Sequence, residues 1–396
     1  MKKIGLLISQ LNKGGAERVV SRLSHILSND YTVYVILFNK TPTSYNVECD
    51  LLYLNNNQQK SNRLLNFITR IKALKKIKKT LKLDIVISFL DSPNFVNILS
   101  KVDGCRTVIS VRNYTLYENN NRIIKLINNI FIKILYKKAD SVITVSKVIN
   151  DYYKSVYKIP NQKIQVIYNP YNYDEIYRLS NENIDQEYID FYKNSFVIVS
   201  VGRLMKQKGY WHLIKAFKDS LEIYPDLHLV IIGKEYDGGK VKKLVKDFKL
   251  GNNVLLIGEV VNPFKYMKNA SMYVSSSIYE GFPNALVEAM LCGLPIISAD
   301  CKSGPREILD NGDYNKIANQ IEYSEYGILI PPLEKNENWD ITFRTKSENT
   351  LTLAIIDLIK NKDIRLSYSK KSIERAKFFS YDKILNEYKK IIELGA

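Results

Sequence analysis

The segment Y-E-G-F-P-N-A-L-V-E-A-M-L-C-G, residues 279–293, carries two carboxylates, Glu280 and Glu288, eight residues apart. A short apolar run precedes it at 272–275, and another follows at 296–297. Helix formers occupy most positions after the Gly-Phe-Pro-Asn turn, so the pattern predicts strand, acidic corner, helix and strand. Glu280 should then lie at a sheet edge where α/β proteins bind ligands. Glu288 should lie two turns into the helix, on roughly the same face.

Length and composition point to a globular protein of several domains. The chain has 396 residues, which suggests two or three domains, and no apolar run is long enough for a transmembrane helix. The short apolar start, 1–10, is interpreted as a first strand and not as a signal peptide. Four cysteines without paired or metal-binding spacing, at 49, 105, 292 and 301, indicate reduced thiols in a cytosolic protein.

The positive charge is confined to one half of the chain. Residues 1–170 hold 27 Lys and Arg against 10 Asp and Glu, whereas residues 171–396 hold 31 of each class. The formal charge of +17 therefore belongs to the first half. Such asymmetry indicates a polyanionic partner or an anionic membrane for that half alone.

Short apolar strands alternate with helical patterns along the whole chain, which predicts two α/β domains with parallel sheets. The strands of the first half are predicted at 3–9, 32–38, 84–89, 107–111, 141–145 and 165–168. Those of the second half are predicted at 196–201, 227–233, 254–258, 272–275, 295–298 and 327–330. A polar stretch at 174–194 is interpreted as the boundary between the two domains. The segment 364–394 is predicted to form an amphipathic helix.

Three loops could hold an anion. Gly14 and Gly15 precede a helix predicted to open at Glu17, a pattern typical of an anion-binding turn but equally of a plain strand-to-helix turn. The pattern is not G-x-G-x-x-G, so a nicotinamide or flavin cofactor is not supported. The loop 303–308 enters a helix at Pro305, and it is interpreted either as a donor contact or as a simple helix start.

The most specific loop follows the first strand of the second half. It places Arg203 and Lys208 five residues apart between Gly202 and Gly209, while Lys206 is interpreted as a solvated lysine. A guanidinium can fork onto phosphate oxygens and an ammonium adds a point charge, which suits a diphosphate. A helix N-terminus beside a carboxylate can hold a phosphate and an uncharged polar group together, and a sugar nucleotide presents both. The alternative is a basic loop without a ligand.

Four motifs, taken in their order along the chain, resemble the family-four retaining glycosyltransferases. They are the glycine pair with Glu17, the Gly-Arg and Lys-Gly loop, the Glu-x7-Glu segment and the Gly-Pro-Arg-Glu loop. The resemblance runs from the first strand to about residue 330. It implies a GT-B fold of two Rossmann-like domains facing across a cleft. The expected division is 1–172 for the acceptor and membrane side, 195–375 for the nucleotide-sugar, and 376–396 for a C-terminal helix packing on the first domain.

The resemblance also implies the roles of the site residues. It implies three catalytic residues, Glu280, Arg203 and Lys208. It implies donor-binding residues Gly15, Gly202, Gly281, Phe282, Asn284, Leu286 and Glu288, with Glu288 accepting hydrogen bonds from the ribose hydroxyls. It implies an acceptor or donor contact for Gly14, Glu17, Arg112 and Asn113. The two cations would stabilise the leaving diphosphate without a metal or other cofactor.

One departure from the family concerns the first domain. Many relatives carry a histidine after the fourth or fifth strand, close to the reacting sugar, where this chain has Arg112 and Asn113. This pattern resembles a subset that acts on capsule, O-antigen and glycan-lipid precursors. Arg112 is expected either to contact an acceptor phosphate or the donor, or to form a structural salt bridge.

Two segments of the first half are candidates for a membrane surface. Residues 60–82 hold nine Lys and Arg and no acid, interleaved with Leu and Ile at helical spacing, which predicts a basic amphipathic helix. Its apolar stripe either faces lipid or packs on the first sheet, with the lysines free for anionic headgroups. The segment 122–138 is more apolar, and either lines an entry for a polyprenyl acceptor or is a buried helix. No nucleic-acid recognition motif accompanies the basic residues.

These observations predict a retaining enzyme that moves a hexose or N-acetylhexosamine from a UDP-sugar to a lipid-linked glycan, peripherally on the cytoplasmic face of the cell membrane. Two alternatives remain open. One is an enzyme of the same fold with other chemistry, a glycan phosphorylase or a sugar-nucleotide epimerase. The other is a non-catalytic subunit that binds a catalytic partner.

Overall fold

A computed structural model describes residues 1–12, 14–55, 63–112, 122–193 and 195–394, and of residues 63 and 122–125 it describes the backbone. The chain divides into two compact units. The first comprises Met1–Tyr171 and Tyr381–Ala396, and the second comprises Asn172–Ser380.

The first unit is built on a seven-stranded sheet whose strands are all parallel. The strands are β1 (Lys3–Ile8), β2 (Thr32–Asn39), β3 (Asp50–Asn55), β4 (Ile85–Phe89), β5 (Arg106–Val111), β6 (Ser141–Thr144) and β7 (Ile164–Val166). Their order in the sheet is β3-β2-β1-β4-β5-β6-β7. The chain leaves β1 in one direction and β4 in the other, so the β1/β4 junction is a topological switch point.

Helices cover both faces of this sheet, as parallel connections require. They are α1 (Gly15–Ser28), α2 (Arg63–Leu81), α3 (Asp91–Leu99), α4 (Arg122–Leu135) and α5 (Lys147–Ser155). Val19, Leu23 and Leu27 of α1 are buried against one face of the sheet. Leu74 of α2 and Val96 of α3 are buried against the other.

The second unit repeats the architecture. Its strands are β8 (Phe196–Val201), β9 (Leu227–Ile232), β10 (Val254–Gly258), β11 (Met272–Ser275), β12 (Ile296–Ala299), β13 (Glu322–Ser324) and β14 (Gly327–Ile330). Their order is β10-β9-β8-β11-β12-β14-β13, with β13 antiparallel to β14. The helices are α6 (Tyr173–Ser180), α7 (Ile189–Tyr192), α8 (Tyr210–Leu221), α9 (Lys240–Asp247), α10 (Phe264–Lys268), α11 (Asn284–Leu291), α12 (Pro305–Leu309), α13 (Lys346–Lys360) and α14 (Lys362–Ala376).

The last helix, α15 (Tyr381–Glu393), belongs to the first unit. Ile384, Tyr388, Ile391 and Ile392 are buried in the same apolar cluster as α1 and β1. The C-terminal residues therefore complete the core of the unit that holds the N-terminus.

The predicted pair of Rossmann-like sheets is confirmed. Every strand predicted from the sequence is present, with its ends within two residues of the expected positions. The sequence analysis missed β3 and the short β13. It also read 174–194 as a boundary, whereas this interval contains α6 and α7 within the second unit. None of the helices in the described ranges has the length and hydropathy of a bilayer-spanning segment.

The two membrane candidates differ in their packing. In α2 the lysines at 72, 75, 76 and 79 are exposed. Leu74 is buried against the sheet, so the middle of the apolar stripe packs there, whereas Leu64, Leu65 and Ile68 at the start of the helix are exposed. The prediction that Lys78 belongs to the exposed lysine face is wrong. Lys78 is buried, and its ammonium donates to the carbonyls of Asn97 and Ser100 at the end of α3. Helix α4 is buried on one side only: Ile132 and Leu135 are buried, whereas five of its large apolar residues are exposed.

Candidate functional site

The strongest candidate site lies at the switch point of the second sheet. Strands β8, β11 and β12 are neighbours and run parallel, so their carboxyl ends meet at one edge. The three loops that leave this edge are 202–209, 276–283 and 300–304. They contain all three residues predicted as catalytic, Glu280, Arg203 and Lys208, so the sheet edge brings together segments that are far apart in the chain.

Close backbone packing fixes the 202–209 loop. A Cβ on Gly233 would lie 1.9 Å from the carbonyl oxygen of Gly202, so only glycine fits where β9 passes this turn. The hydroxyl of Tyr210 donates to the same carbonyl at 3.0 Å. Burial raises the pKa of Tyr210, which keeps this phenol protonated as a donor. Gly209 has a φ of +59°, and a Cβ there would lie 2.3 Å from the carbonyl oxygen of Ser276.

The loop brings Lys208 onto Glu280. The ammonium lies 2.7 Å from Oε1 of Glu280, with the Lys208 side chain 19% exposed and that of Glu280 8% exposed. The lysine side chain runs along Gly202, where a Cβ would lie 2.6 Å from its Cε. A mostly buried ion pair needs further hydrogen bonds to offset its desolvation. The predicted catalytic residues Lys208 and Glu280 are therefore in direct contact.

Gln207 supplies part of that support. Its amide donates to the carbonyl of Tyr279 at 3.0 Å and lies 3.4 Å from Oε2 of Glu280. The backbone N–H of Ile278 donates to the carbonyl of Gln207 at 2.8 Å, and the hydroxyl of Ser276 donates to that of Lys208 at 2.8 Å. These bonds tie the loop after β8 to the loop after β11. They fix the relative position of the ammonium and the carboxylate.

The turn at 281–283 is held from the other side by the loop after β12. The Ser303 hydroxyl donates to the carbonyl of Gly281 at 2.7 Å. Ser303 has a φ of +74° and Gly304 one of +95°, both in the left-handed region. A Cβ on Gly304 would lie 2.5 Å from Cδ of Pro283, so this position requires glycine. The predicted helix start at Pro305 is confirmed, and the loop before it positions the acidic corner.

The relation of the two carboxylates differs from the sequence prediction. Helix α11 begins at Asn284, after Pro283, so Glu280 lies outside the helix and Glu288 lies one turn into it, not two. Proline restricts the preceding residue to extended conformations, which explains why the helix cannot begin earlier. Glu288 is 1% exposed and Leu286 is fully buried, whereas Asn284 is partly exposed at the first position of the helix.

The remaining residues of this corner lie around the pair. Phe282 is buried, and its ring packs edge-on against Phe379 with centroids 5.3 Å apart. Arg203 is exposed, with its guanidinium 6.0 Å from the ring centroid of Tyr236. Lys206 is exposed, as predicted. Arg203 and Lys208 therefore lie on the same loop, one exposed near Tyr236 and the other paired with Glu280.

Arg306 of the Gly-Pro-Arg-Glu loop is a structural residue. It is 3% exposed and forms ion pairs with Asp300 at 2.5 Å and with Glu322 at 2.8 Å. These bonds join α12 to β12 and β13. The arginine therefore stabilises the segment that carries Ser303 and Gly304.

In the first unit, the glycine pair follows β1 at the β1/β4 switch point. Gly14 caps α1 in an extended conformation, and a Cβ there would lie 2.3 Å from Oε2 of Glu17. Gly15 is exposed and begins the helix, two residues before the predicted opening. Glu17 therefore lies against the backbone of the turn. A ligand contact for Gly14, Gly15 and Glu17 stays a prediction.

Arg112 lies at the end of β5 and is 7% exposed. Its guanidinium donates to Oδ1 of Asn169 and lies 3.4 Å from the hydroxyl of Ser110. Burial lowers its pKa, and the nearby Tyr388 opposes this effect. In the described part of the chain, the side-chain groups that accept from it, those of Asn169 and Ser110, are neutral. Asn113 lies outside the described residues.

Sequence reasoning missed Gln207 and Ser276, and it predicted the loop 303–308 without a separate role for Ser303. The three side chains carry no charge, and they position Lys208, Glu280 and the turn at 281–283. Their contacts join loops about 70 or 20 residues apart in sequence, so periodicity and local motifs give no signal for them.

Two family models match this chain. The model described as Glycosyltransferase Family 4 matches residues 13–175, and the one described as Glycosyl transferases group 1 matches residues 181–325. An uncharacterised glycosyltransferase of Methanocaldococcus jannaschii is 35% identical over 358 residues, with 85% of this chain and 86% of the relative covered. The chain belongs to the family-four glycosyltransferases.

One further relative and one solved structure are similar to nearly the whole chain. The N-acetylgalactosamine-N,N'-diacetylbacillosaminyl-diphospho-undecaprenol 4-alpha-N-acetylgalactosaminyltransferase of Campylobacter jejuni is 31% identical, with 98% of both chains covered. The crystal structure of Anabaena HepE in complex with UDP and glucose superposes with a TM-score of 0.75 at 17% identity, covering 99% of both chains. The GT-B fold expected of this glycosyltransferase, with its two Rossmann-like sheets, is confirmed.

Proposed function

We propose that this glycosyltransferase is a retaining enzyme that moves a hexose or N-acetylhexosamine from a UDP-sugar to a lipid-linked glycan in surface polysaccharide or glycoconjugate assembly. The observation that carries the proposal is the contact between Lys208 and Glu280, 2.7 Å apart at the switch point of the second sheet. The pair places a cation for a diphosphate next to a carboxylate for a sugar. In this proposal the nucleotide-sugar is the only small molecule that the enzyme binds, and transfer needs no metal or other cofactor.

In the proposed mechanism, Lys208 and Arg203 bind the diphosphate and stabilise the negative charge that develops on it as the sugar leaves. Glu280 lies against the transferred sugar, and Glu288 accepts from the ribose. Backbone N–H groups near Gly281 and Phe282 add donors for the phosphate. The bond from the anomeric carbon to the phosphate oxygen breaks while the acceptor oxygen forms its bond on the same face. The acceptor proton passes to the leaving phosphate oxygen.

The acceptor and the location rest on the relatives and on charge. The Campylobacter relative is named for a diphospho-undecaprenol substrate, and it aligns over 98% of this chain. The whole formal charge of +17 lies in residues 1–170, which form most of the first unit. A cationic unit is attracted to the anionic cytoplasmic leaflet, where such acceptors are presented. We propose a cytoplasmic enzyme peripherally bound to that leaflet.

The first test is donor binding. A nucleotide-sugar that binds the native state alone raises the melting temperature, so a thermal-shift screen of UDP-, GDP- and ADP-sugars identifies the donor. We expect the largest shift with a UDP-sugar and none with uridine, which lacks the diphosphate. The same shift in the presence of EDTA supports a metal-independent site. Absence of any shift across the screen would favour the non-catalytic alternative.

The second test is turnover with the donor that the screen identifies. The proposal expects UDP release coupled to formation of a glycan product on an isolated lipid-linked acceptor, with the anomeric configuration of the donor retained. Free sugar phosphate as the product would indicate a phosphorylase, and an inverted configuration would contradict the front-face mechanism.

A further inference from the structure

Helix α4 exposes an apolar stripe. Leu126, Ile130 and Ile134 recur every fourth residue and are 61%, 48% and 55% exposed. Ile127 and Phe131, one position further along, are 47% and 41% exposed. Residues four apart are neighbours on a helix surface, so the five side chains form one continuous strip over about two turns. Patches of this kind on a monomer mark interaction sites.

The opposite side of the helix already has its partners. Ile132 is fully buried and Leu135 is 6% exposed. Phe131 lies at the border between the two sides, since it is 41% exposed and its ring tilts against Phe95 of α3 with centroids 5.7 Å apart. On the packed side, Oδ1 of Asn129 accepts from the Tyr157 hydroxyl at 2.8 Å. The fold therefore holds α4 in place by one face and leaves the apolar strip outside the core.

Within the part of the chain that the structure describes, the exposed charged side chains of α4 and of the short segment just after it are basic. Lys133 of α4, Lys138 just after it and Lys158 beside Tyr157 are exposed. The sequence of α4 contains no acidic residue. Asp140 lies within 2.6 Å of Lys101, and Asp151 of α5 is partly buried. An apolar strip bordered by lysines matches the apolar interior and anionic headgroups of a membrane leaflet.

We propose that α4 lies in the interface of an anionic bilayer, with Leu126, Ile130 and Ile134 inserted among the acyl chains and the neighbouring lysines at the phosphate level. A second copy of this chain is a poorer occupant, because a symmetric contact would bring two lysine-bordered strips together. With 14 residues, α4 lies on the leaflet and does not cross it. The inference deepens the proposed function, on which it rests, since it assigns a leaflet contact to α4.

The test uses vesicle sedimentation with the full chain. Wild-type protein should bind vesicles of phosphatidylcholine and phosphatidylglycerol, and should bind weakly when phosphatidylglycerol is omitted or salt is raised. The triple variant Leu126→Gln/Ile130→Gln/Ile134→Gln should bind at least about tenfold more weakly, because each side chain loses its apolar transfer.

A matched control replaces three equally exposed apolar residues of the second unit. Ile223, Leu353 and Leu366 are 55%, 58% and 52% exposed. Ile223→Gln/Leu353→Gln/Leu366→Gln should bind vesicles like wild type. Equal binding by the two triple variants, or no binding by wild type, would overturn the proposal. So would light scattering that shows a wild-type dimer and a monomeric α4 variant with unchanged vesicle binding, since the strip would then join two copies.

Insertion itself has a direct readout. In Ile130→Trp the new indole should be quenched by brominated acyl chains in the same vesicles, whereas Leu353→Trp should not. The thermal shift with UDP separates this inference from the proposed function. If the α4 variant keeps the UDP shift and loses vesicle binding, the donor site and the membrane strip are independent. If neither wild type nor the α4 variant shows a thermal shift with UDP while wild type binds vesicles, the proposed function fails and the proposed insertion of α4 stands.

Discussion

At the level of single residues, the pair of Lys208 and Glu280 couples stability to chemistry. Removal of one member of a mostly buried ion pair leaves the other charge uncompensated, which costs about 3–5 kcal/mol. We expect Lys208→Met to lower the free energy of unfolding by about 3 kcal/mol, and Lys208→Met/Glu280→Gln to recover part of that loss because no charge is then stranded. Urea denaturation of the two single variants and the double variant measures this coupling.

The same variants separate the two roles. Glu280→Gln preserves the shape of the side chain and an oxygen that accepts from Lys208, so it should fold normally, keep UDP binding and lose roughly 100-fold in turnover. Strictly additive stability losses would contradict the coupled pair. Normal turnover of Glu280→Gln would remove Glu280 from the proposed mechanism.

Ser303 provides a second test at this scale. Its hydroxyl donates to Gly281 at 2.7 Å, and its φ is +74°. Ser303→Ala removes the bond and keeps the strained backbone, so it should lose about 1 kcal/mol of stability and raise KM for the donor. Ser303→Gly loses the same bond but relieves the strain, so it should be more stable than Ser303→Ala with a similar KM. Unchanged KM in both variants would limit Ser303 to a structural role.

The sequence was a good guide to the charged residues of the site and a poor one to what holds them. Lys208 and Glu280 were predicted because their motifs combine charge with glycine, and these combinations are rare. Gln207 was missed, and no separate role was predicted for Ser303 within the loop 303–308, because both side chains act through backbone carbonyls of distant loops. The position of Glu288 was also misjudged, since Pro283 delays the start of the helix.

At the level of elements, Lys78 joins α2 to the end of α3 through the carbonyls of Asn97 and Ser100. Burial lowers its pKa from 10.5 to about 8. Below pH 8 both the folded and the unfolded chain hold this proton. Between about pH 8 and 10.5 the unfolded chain binds more protons, so this lysine makes stability rise with pH there.

We therefore expect the stability difference between wild type and Lys78→Met to shift in favour of wild type, by about 3 kcal/mol, as pH rises from 7 to 10.5. Cys105 lies beside this lysine and has a pKa raised by burial, so both proteins should carry Cys105→Ser to remove its titration. Urea denaturation across this pH range measures the difference. A difference that stays constant would contradict the lowered pKa of Lys78.

Strands were predicted most reliably where both faces of the sheet are covered. The central strands β1, β4, β8 and β11 read as continuous apolar runs because helices pack on both of their faces. At the edges that signal weakens. Asp50–Asn55 forms the edge strand β3 and mixes buried with exposed positions, while Glu322–Ser324 forms β13 from three residues. The packing of α4 was also undecided from sequence, because an apolar helix can face the core or a bilayer.

At the level of the whole molecule, the chain uses its last residues to complete its first unit. The ends of α15 and β1 are linked by Lys2, whose ammonium lies 2.8 Å from Glu393 and donates to the carbonyl of Ile392 at 2.9 Å. Arg106 of β5 donates to the carbonyl of Leu394 at 2.5 Å. A core that joins residues nearly 390 positions apart cannot form until the C-terminus is present.

This closure predicts a local loss of stability from a distant substitution. Ile391 is fully buried in the first unit, whereas Leu394, one turn away, is 56% exposed. Ile391→Ala should cost about 2–5 kcal/mol through the cavity that it leaves, and Leu394→Ala should change stability by less than about 0.5 kcal/mol. In hydrogen exchange, Ile391→Ala should accelerate exchange in α1, β1 and β2, while β8, β9 and β11 keep wild-type protection. Exchange that rises equally in both sheets would show that the two units unfold together, and would contradict the predicted local loss of stability.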